Sequence, residues 1–218
     1  MPISLPEMPD RIKRLPRDHR GYPVPWFVSW VKDGKPVPAG IGEPDFRVIA
    51  RGRLWTAVSA GRCWVCGVTL GQHRVYVIGP MCVVNRVTSE PPNHRSCAEF
   101  AAQACPFLVN PRQKRSEKHL PEDRFVAGTM IPRNPGAVCL YETSVVKPFR
   151  SGEGYLFKLG EPDRIDWWAN GRQATREEVL ISIETGYPIL YDAAKKEGME
   201  SIRELETMHK KAMELLPA

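Results

Sequence analysis

The chain has 218 residues, 42% of them hydrophobic and 26% charged, with a formal net charge of +6. That balance belongs to globular proteins and excludes a collagen-like or low-complexity chain; the length suits one domain, or one domain with a smaller companion. The 21 prolines stand well above the ordinary level of about 5% and predict ordered loops and short strands over much of the first 135 residues.

Residues 1–60 read as an N-terminal arm followed by short strands. The start, MPISLPEMPDRIKRLPRD, places charges and prolines where an apolar targeting core would stand. No apolar run is long enough to span a bilayer, so the expectation is a cytoplasmic protein without a membrane partner. Residues 26–31 are rich in β-formers and lead into Lys32-Asp33-Gly34-Lys35, a hairpin turn in which glycine supplies positive φ. Residues 46–49 and 54–58 are expected to pair as further strands across Arg51-Gly52-Arg53. Trp26, Phe27 and Trp30 form an aromatic cluster, read as core in preference to a platform for bases.

Residues 61–116 hold five of the six cysteines: Cys63, Cys66, Cys82, Cys97 and Cys105. In a reducing compartment this clustering favours metal ligation over disulfides. The sharpest motif is Cys63-Trp64-Val65-Cys66-Gly67. A two-residue gap lets one tight turn aim both sulfurs at one ion, and the glycine accepts a backbone shape that side chains disfavour. Residues 74–78 then predict a strand, and residues 79–92 a loop. Asn93 is expected to cap a helix whose first turn presents His94 and Cys97. Cys63, Cys66, His94 and Cys97 are the candidate tetrahedral ligands, with Cys82 and Cys105 as rivals for the place of His94.

Residues 117–218 read as strands and a hairpin followed by C-terminal helices. Residues 125–130 and 137–141 are expected strands, and Cys139 within the second is an ordinary buried thiol. Residues 155–159 and 164–168 predict a hairpin across Gly160-Glu161-Pro162-Asp163, closed by Asn170-Gly171. Thr175 and Glu178 make a capping box; the helix they open is expected to stop at Gly186 and Pro188, with a short second helix over residues 192–196. Ser201 and Glu204 are a second box, and Ile202, Leu205, Met208, Ala212, Leu215 and Leu216 follow at helical spacing.

The order of a cysteine knuckle, a hairpin and a helix supplying two ligands resembles the treble-clef class of zinc folds over about 45 residues. The resemblance implies closely spaced helical ligands, which His94 and Cys97 match. Nucleases of that class need a histidine at the end of the hairpin strand, where this chain has Pro80-Met81-Cys82; His73 lies earlier. The expected fold is therefore α+β, with short antiparallel strands, an embedded treble-clef-like zinc knot and C-terminal helices.

Residues 1–120 contain 18 Lys or Arg against 9 Asp or Glu, whereas residues 121–218 contain 13 against 16. A basic region around the cysteines favours polyanionic partners. Arg74, Arg86, Arg95, Arg112, Lys114, Arg115 and Lys118 are the candidate phosphate contacts, with Trp64 as a candidate stacking residue. The leading expectation is a zinc-stabilised protein that binds nucleic acid or assembles with a protein partner. The alternatives are a metal-dependent hydrolase or deaminase, with Glu90 or Glu99 as its carboxylate, and an iron–sulfur electron-transfer protein. The chain lacks the fingerprints of dinucleotide-binding, P-loop, nucleophile-elbow and HExxH enzymes, and the His-x-Glu and Pro-Cys-x-x-Cys elements of zinc deaminases.

Overall fold

A computed structural model describes residues 5–110, 135–152 and 154–218. The expected strand over residues 125–130 lies outside the described residues, as do Arg112, Lys114, Arg115 and Lys118. The fold is α+β, with three antiparallel sheets among the described residues.

After α1 (Asp10–Lys13), the first sheet consists of β1 (Val28–Lys32), β2 (Lys35–Val37) and β3 (Glu43–Ile49), in the order β2-β1-β3. Asp33 and Gly34 both take positive φ in the β1–β2 turn, as a two-residue hairpin with right-handed twist requires. Residues 54–58 do not form the expected strand. Instead α2 (Arg53–Ser59) follows the left-handed Gly52, while β3 pairs with β1. Leu54, Ala57 and Val58 bury one helical face of α2 and leave Trp55 exposed, a period that strand geometry cannot reproduce.

The second sheet has the order β10-β9-β6-β4, built from β4 (Val75–Ile78), β6 (Val138–Glu142), β9 (Arg164–Ala169) and β10 (Arg172–Gln173). Both of its faces are covered, and the period-two alternation of strands divides its residues accordingly. Val75, Val138 and Leu140 face Ala98 and Ala102 of α4 (Arg95–Ala104). Tyr76, Ile78, Cys139, Tyr141 and Trp167 belong to the largest core cluster. That cluster also takes residues from α3 (Pro80–Asn85), α6 (Arg176–Glu197) and α7 (Met199–Met213). Each large side chain fully buried here contributes roughly 1.5–3 kcal/mol.

The third sheet, ordered β5-β8-β7, combines β5 (Val87–Thr88), β7 (Val146–Ser151) and β8 (Gly154–Leu159). The expected hairpin between residues 155–159 and 164–168 is therefore absent: β8 pairs with β5 and β7, whereas β9 pairs with β6 and β10. The connecting residues 160–163 bond residues 142–145 instead. Gly160 N donates to Val145 O, Asp163 N to Glu142 O, and Thr143 Oγ1 to Glu161 O. Asn170 and Gly171 form the β9–β10 turn.

Residues 79–92, expected as a loop, hold α3 and β5. Pro80 occupies the first turn, where its missing N–H costs nothing, and Met81, Val83 and Val84 are buried. α5 (Pro106–Val109) follows α4 directly. The capping box of Thr175 and Glu178 opens α6, but Gly186 and Pro188 do not end it: the helix continues to Glu197. Pro188 removes one helical bond, yet Ile183, Tyr187, Leu190 and Ala194 all pack on the same core across it. Burial of that continuous face holds the helix together. α7 starts from Gly198 at Met199, ahead of Ser201, so the second expected box is not formed; Ile202, Leu205 and Ala212 are buried as their spacing predicts.

The α6 box carries a pH prediction. The Arg172 guanidinium, followed by the Thr175 backbone amide, lowers the Glu178 carboxyl to about 2. A depressed carboxyl contributes stability that is fully present above its unfolded value near 4.3 and lost as pH falls through about 2. Because the group is partly exposed, Glu178→Gln is expected to cost only about 1 kcal/mol at pH 6. Urea unfolding of both chains should show that difference shrinking between pH 4.5 and pH 2.

Candidate metal centre

The knuckle is a tight backbone loop. Gly67 N donates to Cys63 O and Cys63 N to Val68 O, both at 2.8 Å, which folds the two cysteines over one point. Gly67 has φ +73°, and a Cβ there would lie 2.5 Å from the Trp26 ring, so conformation and packing both demand glycine. Trp26 N in turn donates to Val65 O at 2.7 Å, tying the first sheet's leading segment to the knuckle.

Helix α4 delivers the other two candidates. His94 is its N-cap, with Cys97 in the first turn. Asn93 does not cap the helix as expected; it is 2% exposed and braces the knuckle. Its Oδ1 accepts from Val65 N at 3.0 Å, its Nδ2 donates to Val75 O at 3.4 Å, and its backbone forms a two-way bridge with Val75. Knuckle, strand β4 and helix α4 thus meet at one side chain. Between knuckle and helix the chain forms β4, which matches the strand expected over residues 74–78, and then α3 and β5 where a loop was expected.

One ligand atom from each of Cys63, Cys66, His94 and Cys97 lies within 4.8 Å of the other three, and together these residues can hold a metal ion. Cys63 and Cys97 are 0% exposed and Cys66 7%. His94 Nδ1 is 3.4 Å from Cys66 Sγ and 3.9 Å from Cys97 Sγ. Tetrahedral zinc with ordinary Zn–S and Zn–N bonds requires an N···S edge of about 3.6 Å, midway between these two. His94 Nε2 lies 3.1 Å from Thr69 O. Donation to that carbonyl leaves Nδ1 free as the ligating nitrogen, the usual outer-shell arrangement.

The sulfurs also interact directly. Contact with the Cys66 and Cys97 thiols, with further help from the backbone amides of Cys66 and His94, holds the Cys63 thiol far below its ordinary value. The same contact with Cys63 pushes Cys66 and Cys97 upward. Three thiols facing one point cannot ionise freely without a cation to share their charge. Ile12, Phe100 and Ala104 complete the buried cluster around them. The N-terminal arm therefore supplies a wall of the site through Ile12.

Cys82 and Cys105 are outside the converging group. Cys82 packs on the main core from α3, where desolvation raises its thiol to about 12. Cys105 follows α4, and burial raises its thiol too. Cys139 is fully buried in β6, and burial raises its thiol well above the ordinary value.

Three of the four described nucleic-acid candidates have partners within the protein. Trp64 is not an outward platform: it is 3% exposed and stacks on Phe27 at 4.5 Å and 5°. Arg86, in the left-handed region at the end of α3, turns its side chain inward and is 6% exposed. Its guanidinium donates to Tyr141 Oη, to Gly160 O at 3.0 Å and to Glu161 at 2.9 Å. Arg95 donates to Glu142 at 2.7 and 2.9 Å, to Asp166 at 2.6 Å and to Glu99 at 3.3 Å. Both cations are committed to protein partners. Arg74 is exposed. His73, also exposed, faces Glu142 at 2.8 Å.

Among the described residues no helix is long and apolar enough to cross a membrane. In comparisons with known proteins, no family model, curated protein or solved structure matches the chain.

Proposed function

We propose that Cys63, Cys66, His94 and Cys97 hold one structural zinc ion in a treble-clef-like knot, and that the chain is a zinc-stabilised nucleic-acid-binding or macromolecular assembly protein. The observation that carries the metal half is the convergence of three buried sulfurs and one imidazole nitrogen within 4.8 Å. Four protein ligands close a tetrahedral site, which favours a structural role over a catalytic one. Knuckle and helix come from sequence-distant pieces, so an ion between them fastens α4 to the loop after α2.

The alternatives have less support. A hydrolase or deaminase needs an open coordination position and a carboxylate at the ion; neither Glu90 nor Glu99 belongs to the converging group, and Glu99 pairs with Arg95. Iron–sulfur clusters are most commonly held by four thiolates, whereas the group has three with a histidine.

The nucleic-acid half rests on the basic excess of residues 1–120. Its test is a fluorescence titration with short single-stranded and duplex oligonucleotides. Binding at about 50 mM salt that weakens steeply toward 200 mM is expected. Absence of binding to either at the lower salt would remove nucleic acid as a partner and leave protein assembly.

A further inference from the structure

The third sheet buries the β8 residues Phe157 and Leu159 on one face and leaves much of the β7 strand and the other face exposed. Residues paired across its strands share a side, so Val146, Pro148 and Arg150 lie with Leu159, Phe157 and Tyr155, and Lys147, Phe149 and Ser151 lie with Lys158, Leu156 and Gly154. On the first side Phe157 and Leu159 are 4% exposed, and Phe157 packs beside Tyr76 of β4. On the second side Lys147 and Lys158 are exposed, and Phe149 is 41% exposed. Val87 of β5 stands beside Lys158 on this side, half-buried.

Two features of the open face suggest an anionic occupant. Lys147 and Lys158 sit directly opposite one another, a like-charge pairing that disfavours the sheet by itself. Among the described residues neither lysine has a carboxylate partner. Residues 121–218 carry an acidic excess, but much of it lies on α6 and α7. Glu142 and Asp166 of the second sheet are held by Arg95, and Glu161 of the β8–β9 connection by Arg86. Beside the lysines, the next pair on the same face, Phe149 and Leu156, provides an apolar surface on which a planar base can rest. A protein strand adding to the β7 edge is disfavoured, because Pro148 in the middle of that strand has no N–H to offer.

We infer that the outer face of the β5-β8-β7 sheet binds single-stranded nucleic acid, with Lys147 and Lys158 on phosphates and Phe149 under a base. This rests on the nucleic-acid reading above but takes its contact surface from Lys147 and Lys158, outside the basic residues 1–120, because Trp64, Arg86 and Arg95 near the metal knot are already engaged.

The test is binding of a fluorescein-labelled oligothymidylate to the full chain as purified, from about 50 to 200 mM salt, with circular dichroism on every variant. Lys147→Gln/Lys158→Gln should reduce the slope of log affinity against log salt by about 1.4, at roughly 0.7 per phosphate contact with a single strand. Phe149→Ala should weaken binding about tenfold or more with little change in the slope. Lys195→Gln/Lys196→Gln, on exposed positions of α6, removes the same charge and should reproduce the parent chain. If the parent binds and the Lys147/Lys158 variant matches it in slope and affinity, the inference is overturned while the nucleic-acid reading stands. If the two lysine variants are weakened equally, net charge alone governs binding and this face is not the site. If the parent does not bind, both fall together.

Discussion

Cys63→Ser is expected to lose the full equivalent of metal and to unfold the region around the knuckle, whereas Cys139→Ser keeps its metal. Cys63 is 0% exposed and lies in the converging group, and among the described residues no fifth His, Cys, Asp or Glu joins that group to replace it. Without the ion, the knuckle, α4 and Ile12 lose the centre they pack around. The cost should be on the order of 4 kcal/mol or more, in the class of mutations that remove a structural metal. The largest core, formed by the second sheet with α3, α6 and α7, does not include the cluster. Circular dichroism should therefore retain the C-terminal helices while near-ultraviolet signals from the Trp64–Phe27 stack weaken. Metal analysis of the two variants side by side checks the prediction, and a full equivalent in Cys63→Ser would refute it.

Asn93→Ala should be nearly as damaging although Asn93 is not itself a ligand. The substitution strands the Val65 amide and deprives the Val75 carbonyl of one donor, and Asn93 is almost fully buried. Leaving such groups unpaired costs roughly 1–3 kcal/mol each, so a loss of about 2–4 kcal/mol is expected. Because the same side chain sets the knuckle against the helix, metal affinity should fall about tenfold or more, as for other outer-shell changes. Asn93→Asp keeps the shape but supplies no Nδ2 donor and adds a negative charge beside the cysteines, so it should not rescue affinity. Competition with a chelator reads affinity and urea unfolding reads stability. An unaltered affinity in both variants would show that Asn93 is only a packing residue.

The sequence was most legible where chemistry is local. Cys63-Trp64-Val65-Cys66-Gly67 and His94 with Cys97 each carry their geometry within a few residues, and the structure brings the two pieces together. The Asp33-Gly34 turn, the Thr175–Glu178 box and the apolar face of α7 were equally local. What escaped depends on partners far along the chain. Arg86 reads as a loop cation until Tyr141, Gly160 and Glu161 are seen around it. Residues 155–159 and 164–168 look like a hairpin because each is a good strand, but nothing nearby reveals that residues 142–145 capture the turn between them. Pro188 signals a helix end by its missing N–H, and only the core beneath α6 overrides it. Asn93 was read as a cap because capping is what an asparagine before a helix most often does; its contact with Val65 lies 28 residues away.

The central claim is a single zinc ion on three sulfurs and one nitrogen, and X-ray absorption at the zinc edge of the purified chain, with elemental analysis, tests it most directly. One zinc per chain is expected, with three sulfurs near 2.3 Å and one nitrogen near 2.0 Å, the nitrogen alone being removed by His94→Ala. A four-sulfur shell, or stoichiometric iron with visible charge-transfer absorption, would contradict it.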